Sequence, residues 1–168
     1  MQKNYSTYYT SPLGAIRINC NETCITQVHF LHKDEENTNG DRLQISAPPV
    51  LQQCVDQLIE YFQGQRKNFE VPVYQDGTDF QQRVWNELLN IPYGKTISYL
   101  TLSKRLGDPK AIRAAAATNG KNNIAIIVPC HRVIGSNNDM VGYGSGVWRK
   151  KWLLELEAKI TWGVQTLF

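Results

Sequence analysis

Among the residue types that can form or break covalent bonds, the most suggestive group is Cys130-His131-Arg132. It follows the apolar run Ile124-Ala125-Ile126-Ile127-Val128 and Pro129, and precedes a glycine-rich stretch with Gly135, Gly142, Gly144 and Gly146. The thiolate is the reactive form of cysteine, and a neighbouring imidazole or positive charge favours it. His131 could take the Cys130 proton, directly or through water. A carboxylate could then hold the imidazole in the useful tautomer, and Glu157 is a candidate for that role. Adjacent residues on a regular strand face opposite sides, so the pair needs a turn at Pro129 to cooperate. The alternative is that Cys130 is a small buried hydrophobe, the commoner fate of a single cysteine.

Cys20, Cys24, His29 and His32 are near enough in sequence to raise zinc, but their spacing matches no compact structural site. Cys54 falls on the apolar face of a helix and is expected in a core. The N-terminal MQKNYSTYY has no apolar secretory segment, and no apolar run is long enough to span a bilayer. A cytoplasmic protein without membrane association or a disulfide framework is therefore expected. The formal net charge is only +3, but it is unevenly placed. Residues 1–82 hold 6 Lys+Arg against 10 Asp+Glu, and residues 83–168 hold 12 against 5. A basic C-terminal half fits an anionic partner such as nucleic acid, or a solvated surface.

The elements that must position these residues are legible in outline. Ser11-Pro12-Leu13-Gly14 is a turn signal, and alternation predicts strands at 15–19 and 25–30. Lys33 opens a polar, acidic loop over 34–40. Leu51, Cys54, Val55, Leu58, Ile59 and Phe62 form a helical stripe closed by Gly64. Val71–Gly77 reads as a crossing linker, which puts a domain boundary at 75/76.

Beyond it, Thr78 and Gln81 have capping-box spacing at the head of a helix carrying Phe80, Val84, Leu88 and Leu89, which Pro92 ends. Ser98 caps a short helix with Leu102 and Leu106, and Gly107 breaks it. Asp108 and Pro109 then open a helix to about Asn119, closed by Gly120. Two short helices across a tight glycine turn form a helix-turn-helix reading, with Lys110 and Arg113 on the second. Residues 124–128 read as a buried strand, and a last helix is expected from Trp148 to Glu157 with Trp152, Leu153 and Leu156 inside. Residues 159–168 show no clear period.

The segment Ile127-Val128-Pro129-Cys130-His131-Arg132-Val133-Ile134-Gly135 resembles the active-site signature of the O-6-alkylguanine-DNA alkyltransferases, the methylated-DNA–protein-cysteine methyltransferases. Further landmarks resemble the family in order and spacing: Gly77–Gln81 with Val84-Trp85, Ile91–Gly94 with Thr96 and Ser98-Tyr99, and Gly142-Tyr143. Ser11–Gly14 is similar to the opening hairpin of its N-terminal domain.

The resemblance implies an α+β fold. A small ribonuclease-H-like domain (1–75) would pack on a mostly helical DNA-binding and alkyl-transfer domain (76–168). It implies direct-reversal repair of double-stranded DNA containing O-6-alkylguanine, with O-4-alkylthymine a further candidate lesion. The helix-turn-helix binds in the minor groove, the damaged base flips out of the stack, and its alkyl group is transferred irreversibly to Cys130. Each molecule, expected as a monomer, acts once and needs neither metal nor organic cofactor.

By the same resemblance Cys130 is the nucleophile, His131 the proton relay, Glu157 its orienting carboxylate and Asn122 a brace. Tyr99 would assist flipping and protonate the leaving guanine, and Arg113 would fill the vacated place in the duplex. Tyr143, Gly144 and Val133 would line the base pocket, and Ala114 would let the recognition helix approach the groove. Lys104, Arg105 and Lys110 are candidates for phosphate contacts.

The chain departs from the family pattern at Asn122-Asn123, where relatives often have Asn-Pro, and at Ser145-Gly146-Val147 with Trp148 beyond it. Ala114 to Ala117 replace a segment in which relatives often include glycine, and Cys20, Cys24 and His29 do not align with the zinc ligands of some members. Three rival readings are a lesion binder on the same scaffold without the cysteine, a plain helix-turn-helix regulator, and a Cys-His hydrolase. The first would lack Cys130, and the second would need neither Tyr99 nor the Pro-Cys-His-Arg segment. The third would need oxyanion donors and water for turnover.

Overall fold

A computed structural model describes residues 3–32 and 46–163. The acidic loop expected over 34–40 therefore lies outside the described residues. The fold is α+β, as expected. Contacts divide the chain into two compact units, Met1–Gln75 with Asn123–Ala125, and Asp76–Asn122 with Ile126–Phe168. No helix among the described residues is long and apolar enough to cross a membrane.

The first unit is an antiparallel sheet of β1 (Tyr5–Ser11), β2 (Gly14–Cys20) and β3 (Ile25–Phe30), in that order, with helix α1 (Pro49–Phe62) against it. Strand alternation sends Ile16, Ile18, Cys20, Val28 and Phe30 inward. They meet Leu51, Cys54, Leu58 and Tyr61 of α1, all fully buried. Each such aliphatic side chain stabilises the unit by about 1.5–3 kcal/mol.

The β1–β2 turn is held by Ser11, whose Oγ donates to the Gly14 carbonyl (2.7 Å) and accepts from the Leu13 N–H (3.0 Å). The sequence reading missed β1, although Tyr5, Thr7 and Tyr9 are good strand formers. It also treated 71–77 as a bare linker. Pro72 and Tyr74 instead bond the backbone of Ile25, so the segment runs along β3.

The second unit contains α2 (Asp79–Leu88), β4 (Ile97–Ser98), α3 (Tyr99–Arg105), α4 (Ile112–Gly120), β5 (Val133–Ile134) and α5 (Val147–Trp162). The expected capping box opens α2: Thr78 Oγ accepts from the Gln81 N–H (3.2 Å), and the Thr78 N–H donates to Gln81 Oε1 (2.9 Å). Trp85 is buried and donates its indole N–H to the Thr118 carbonyl (3.2 Å), tying α2 to α4. Arg83 on the same helix donates to the Leu106 carbonyl beyond α3. Ser98 caps α3 through the Thr101 N–H (3.0 Å), and Gly107 turns the chain at φ +87°. α2 thus carries the helix-turn-helix formed by α3 and α4.

Several expectations are corrected. Residues 124–128 are buried but are no strand: Ile124 bridges Val28, and Ile126 then turns at φ +73°. A β-branched residue there is strained, and full burial of its side chain holds it in place. The strand near Cys130 is β5, which pairs in parallel with β4.

The second helix of the motif starts at Ile112, because Asp108 accepts the Lys110 N–H and forms a turn before it, which leaves Lys110 ahead of the helix. Gly120 is its last residue, without left-handed geometry. Leu89 is exposed rather than part of the α2 stripe. On α5 the buried side chains are Arg149, Lys150, Leu153, Leu154, Glu157 and Ala158, while Trp152 and Leu156 are half-buried. This helix continues to Trp162, whose indole N–H donates to the Gly94 carbonyl (3.0 Å).

Thr78→Ala removes the side-chain cap of α2 and is expected to lower stability by about 1 kcal/mol in urea denaturation. Thr78→Ser, which keeps the acceptor, is expected to lose far less.

Candidate active site

The parallel pair β4–β5 places two chain segments side by side, with Ile97 opposite Val133 and Ser98 opposite Ile134. Tyr99 starts α3 directly after β4, and Cys130 begins the 3-10 turn Cys130–Arg132 directly before β5. That turn is what a regular strand would have denied the Cys-His pair.

Below it lies Glu157, fully buried on α5. Its carboxylate accepts from His131 Nε2 (2.6 Å), Arg132 Nε (2.8 Å) and Nη2 (3.2 Å), and the Gly94 N–H (3.1 Å). Burial alone would push this carboxyl up, but His131 and Arg132 outweigh it and hold Glu157 well below the usual carboxylate range. Gly94 has φ +79°, and a Cβ there would fall 2.3 Å from Thr161 Oγ1, so the close approach to α5 requires glycine. Arg132 also donates to the Ile91 carbonyl (2.8 Å) and lies over the Tyr93 ring.

His131 is fully buried. Burial lowers its pKa, the Glu157 carboxylate opposes this, and Arg132 and Lys150 reinforce it, so the imidazole is neutral at pH 7. With Nε2–H directed at the carboxylate, Nδ1 carries the lone pair, and it has no hydrogen-bond partner among the described residues. The arrangement is a base waiting for a proton.

Cys130 is 7 % exposed. Burial pushes its thiol up, while the Asn122 side chain and the Lys150 charge pull it down. Asn122 also donates to the Val128 carbonyl (2.8 Å), which braces the approach to the turn. Asn119, on α4, donates to the carbonyl of Cys130 itself (3.3 Å).

The Tyr99 hydroxyl donates to the Val141 carbonyl (3.3 Å). Tyr99 is pushed up by burial and by Cys130, with Asn119 opposing. Tyr143 is raised well above its ordinary value by burial first and then by Cys130, and its buried hydroxyl has no partner among the described residues. Cys130, His131, Glu157, Asn122, Tyr99 and Tyr143 therefore converge.

Val133 is wholly buried, so what it offers is its carbonyl, which accepts from Lys150 Nζ (2.6 Å). Gly144 is exposed on the loop after Tyr143. Lys104, Arg105, Lys110, Arg113 and Ala114 are all exposed on the helix-turn-helix, away from any ion pair among the described residues. No group of three or more His, Cys, Asp or Glu able to hold a metal occurs among the described residues.

Sequence reasoning assigned no role to Arg132, Asn119, Lys150 or the Gly94 turn. Arg132 had a signal in its place beside His131, and the Gly94 turn had one in the Ile91–Gly94 landmark.

Two family models match the chain: the ribonuclease-like domain of 6-O-methylguanine DNA methyltransferase over residues 4–75, and the DNA binding domain of the same family over residues 79–159. The chain belongs to the 6-O-methylguanine DNA methyltransferase family. The resemblance drawn from the Cys130 segment is thus borne out. A methylated-DNA–protein-cysteine methyltransferase of Mycobacterium tuberculosis is 43 % identical over 158 residues, 94 % of each chain. The constitutive enzyme of that name from Bacillus subtilis is 41 % identical over 157 residues, covering 92 % of this chain and 95 % of its own. A crystal structure of Mycobacterium tuberculosis OGT in complex with DNA superposes with TM-score 0.80 at 42 % identity, covering 91 % of this chain and 92 % of the other. In a member of this family, the converging groups around Cys130 are the natural place to look for the reaction.

Glu157→Gln leaves the Arg132 guanidinium buried without its anion, which is expected to cost about 3–5 kcal/mol. The pH dependence has a definite sign. Glu157 in the folded state lies below its ordinary 4.5, so its contribution is complete above that value and lost as pH falls below it. His131 lies below its ordinary 6.5, so its contribution is likewise complete above 6.5 and lost on acidification. The melting temperature of the wild type should therefore fall from pH 7 to pH 4, and the part below about pH 4.5 should flatten in Glu157→Gln. A melting temperature that rises on acidification would contradict the assignment.

Proposed function

We propose that this protein repairs O-6-alkylguanine in duplex DNA by irreversible transfer of the alkyl group to its own Cys130, once per molecule. The observation that carries this reading is a buried cysteine at the head of a turn whose next residue is a neutral, carboxylate-oriented imidazole with a free lone pair. The thiol proton passes to His131 Nδ1, directly or through a water. The sulfur electron pair forms the S–C bond, and the C–O bond to guanine O-6 breaks in line with it. The leaving guanine takes that electron pair and a proton from the Tyr99 hydroxyl. Glu157 stabilises the imidazolium that forms, and Asn122 keeps the turn in register. The thioether is stable, so the nucleophile is consumed.

The unit Asp76–Asn122 with Ile126–Phe168 serves as the DNA-binding and alkyl-transfer domain in this reading. α3 and α4 dock in the minor groove of double-stranded DNA. Ala114 permits close approach of α4, and Lys104, Arg105 and Lys110 meet phosphates. Flipping the damaged base costs a few kcal/mol or roughly that, less for a weakened pair. Arg113, exposed in the first turn of α4, fills the gap it leaves. Tyr143, Gly144 and the Val133 carbonyl receive the extruded base, and O-4-alkylthymine is a second substrate to test. The protein acts as a monomer in the cytoplasm. A lesion binder without chemistry on the same scaffold is disfavoured by Cys130 itself.

The deciding experiment incubates the protein with a duplex carrying one O-6-methylguanine and maps mass on tryptic peptides. One methyl is expected on the peptide Asn122–Arg132, at no more than one per protein, and none in Cys130→Ser. Binding to the damaged duplex without mass gain would favour the lesion binder, and no preference for damage would end the repair reading.

Two further substitutions separate binding from flipping. Lys104→Ala is expected to weaken binding to all duplexes and reduce the salt slope by about one. Arg113→Ala is expected to slow transfer from duplex by about tenfold or more, because Arg113 offsets part of the few kcal/mol of extrusion, while leaving reaction with the free alkylated base unchanged.

A further inference from the structure

Lys150 is the one cation in the second unit that is 0 % exposed, among the described residues, and the chemistry above does not use it. In sequence it belongs to the basic run Arg149-Lys150-Lys151 in the first turn of α5. It points inward. Its Nζ donates to the carbonyls of Val133 (2.6 Å) and Val141 (2.8 Å) and lies 5.8 Å from the centre of the Tyr99 ring.

No carboxylate pairs with it among the described residues, since Glu157 is engaged by His131 and Arg132. A buried ammonium without an anion is costly, and two neutral carbonyls satisfy only two of its three N–H donors. What remains within its electrostatic reach is Cys130, and the influence is mutual: Lys150 favours the thiolate, and the thiolate favours the ammonium. The other titratable and charged groups around it are His131 on the same turn as Cys130, Tyr99 on α3, and Arg149 beside it on α5.

The two carbonyls add a second consequence. Val133 belongs to β5, next to Cys130, and Val141 belongs to the loop that leads to Tyr143. The Val141 carbonyl also accepts from Tyr99. One ammonium thus ties the nucleophile's strand to the loop of the proposed base pocket, at the atom where Tyr99 is anchored.

We propose that Lys150 is a positioning residue: the internal counter-ion of the Cys130 thiolate and the tie that holds the Val141 loop against β5. The proposal rests on Cys130 being the nucleophile, and not on the identity of the alkyl donor. Lys150 itself is lowered to about 8, mainly by burial.

The test uses the full chain without DNA, so its failure is distinguishable from failure of the repair reading. Carbamidomethylation of Cys130 by iodoacetamide is followed against pH on the peptide Asn122–Arg132, in the wild type, Lys150→Met and Lys150→Arg. Lys150→Met is expected to move the midpoint of Cys130 reactivity upward by about 1–2 pH units, the effect of losing one nearby opposite charge. Lys150→Arg is expected to restore most of that shift. An unchanged midpoint in a folded Lys150→Met would overturn the proposal.

Should Lys150→Met fail to fold, the same coupling is read from the other side by NMR titration of 13C-labelled lysine in the wild type and in Cys130→Ser. The Lys150 titration should move to lower pH in Cys130→Ser, and identical titrations would overturn the proposal equally.

Discussion

The carboxylate of Glu157 is the constraint on which the second unit is built. It is buried, and it is held by donors from the Gly94 turn and from two consecutive residues of the Cys130–Arg132 turn. These segments lie far apart in sequence, so the anion is satisfied only when the whole arrangement is in place. A buried charge with its donors present is tolerable, and one with a donor missing is not. The same carboxylate fixes the His131 ring through Nε2, which leaves Nδ1 as the nitrogen without a partner among the described residues. Structural integrity and chemical readiness therefore rest on one group.

Burial acts in opposite directions on the groups above that carboxylate. It raises the Cys130 thiol and lowers the His131 imidazole, which leaves both neutral at rest. A neutral pair is buried at less cost than a charged one. Fixed dipoles and charges in a buried site act more strongly than they would in water. Asn122, Asn119 and the ammonium of Lys150 are already oriented by backbone carbonyls, so little reorganisation is left for the moment of reaction.

The outer side of this unit has a different character. α3 and α4 are short, and their mutual angle depends on α2, through the Trp85 bond to Thr118 and the Arg83 bond to Leu106. What they present outward includes the basic Lys104, Arg105 and Arg113 and the small Ala114, beside the apolar Leu100 and Ile112. The short parallel pair β4–β5 is the link between the two sides, because it sets Tyr99 beside Cys130.

Much of this was legible in the residues themselves. The Thr78 capping box, the Ser98 cap and the Gly107 break are local chemistry, and each appears where its spacing indicated. The Cys130-His131 pair and the distant Glu157 were readable as a triad because residue type and a family signature coincide. Other features were not readable. An apolar run such as 124–128 looks the same whether it extends as a strand or folds through a left-handed Ile126. α5 reaches Trp162 because Gly94 receives that indole, which no local period announces.

The sequence by itself determined the family and the helix-turn-helix, since these rest on residue types at short spacings. The tertiary structure decided which charges are buried. Lys150 and Lys151 are neighbours of one residue type, yet one is enclosed by two carbonyls and the other faces solvent. That difference is set by atoms far along the chain, because the cost of burying a charge depends on partners that only folding brings near.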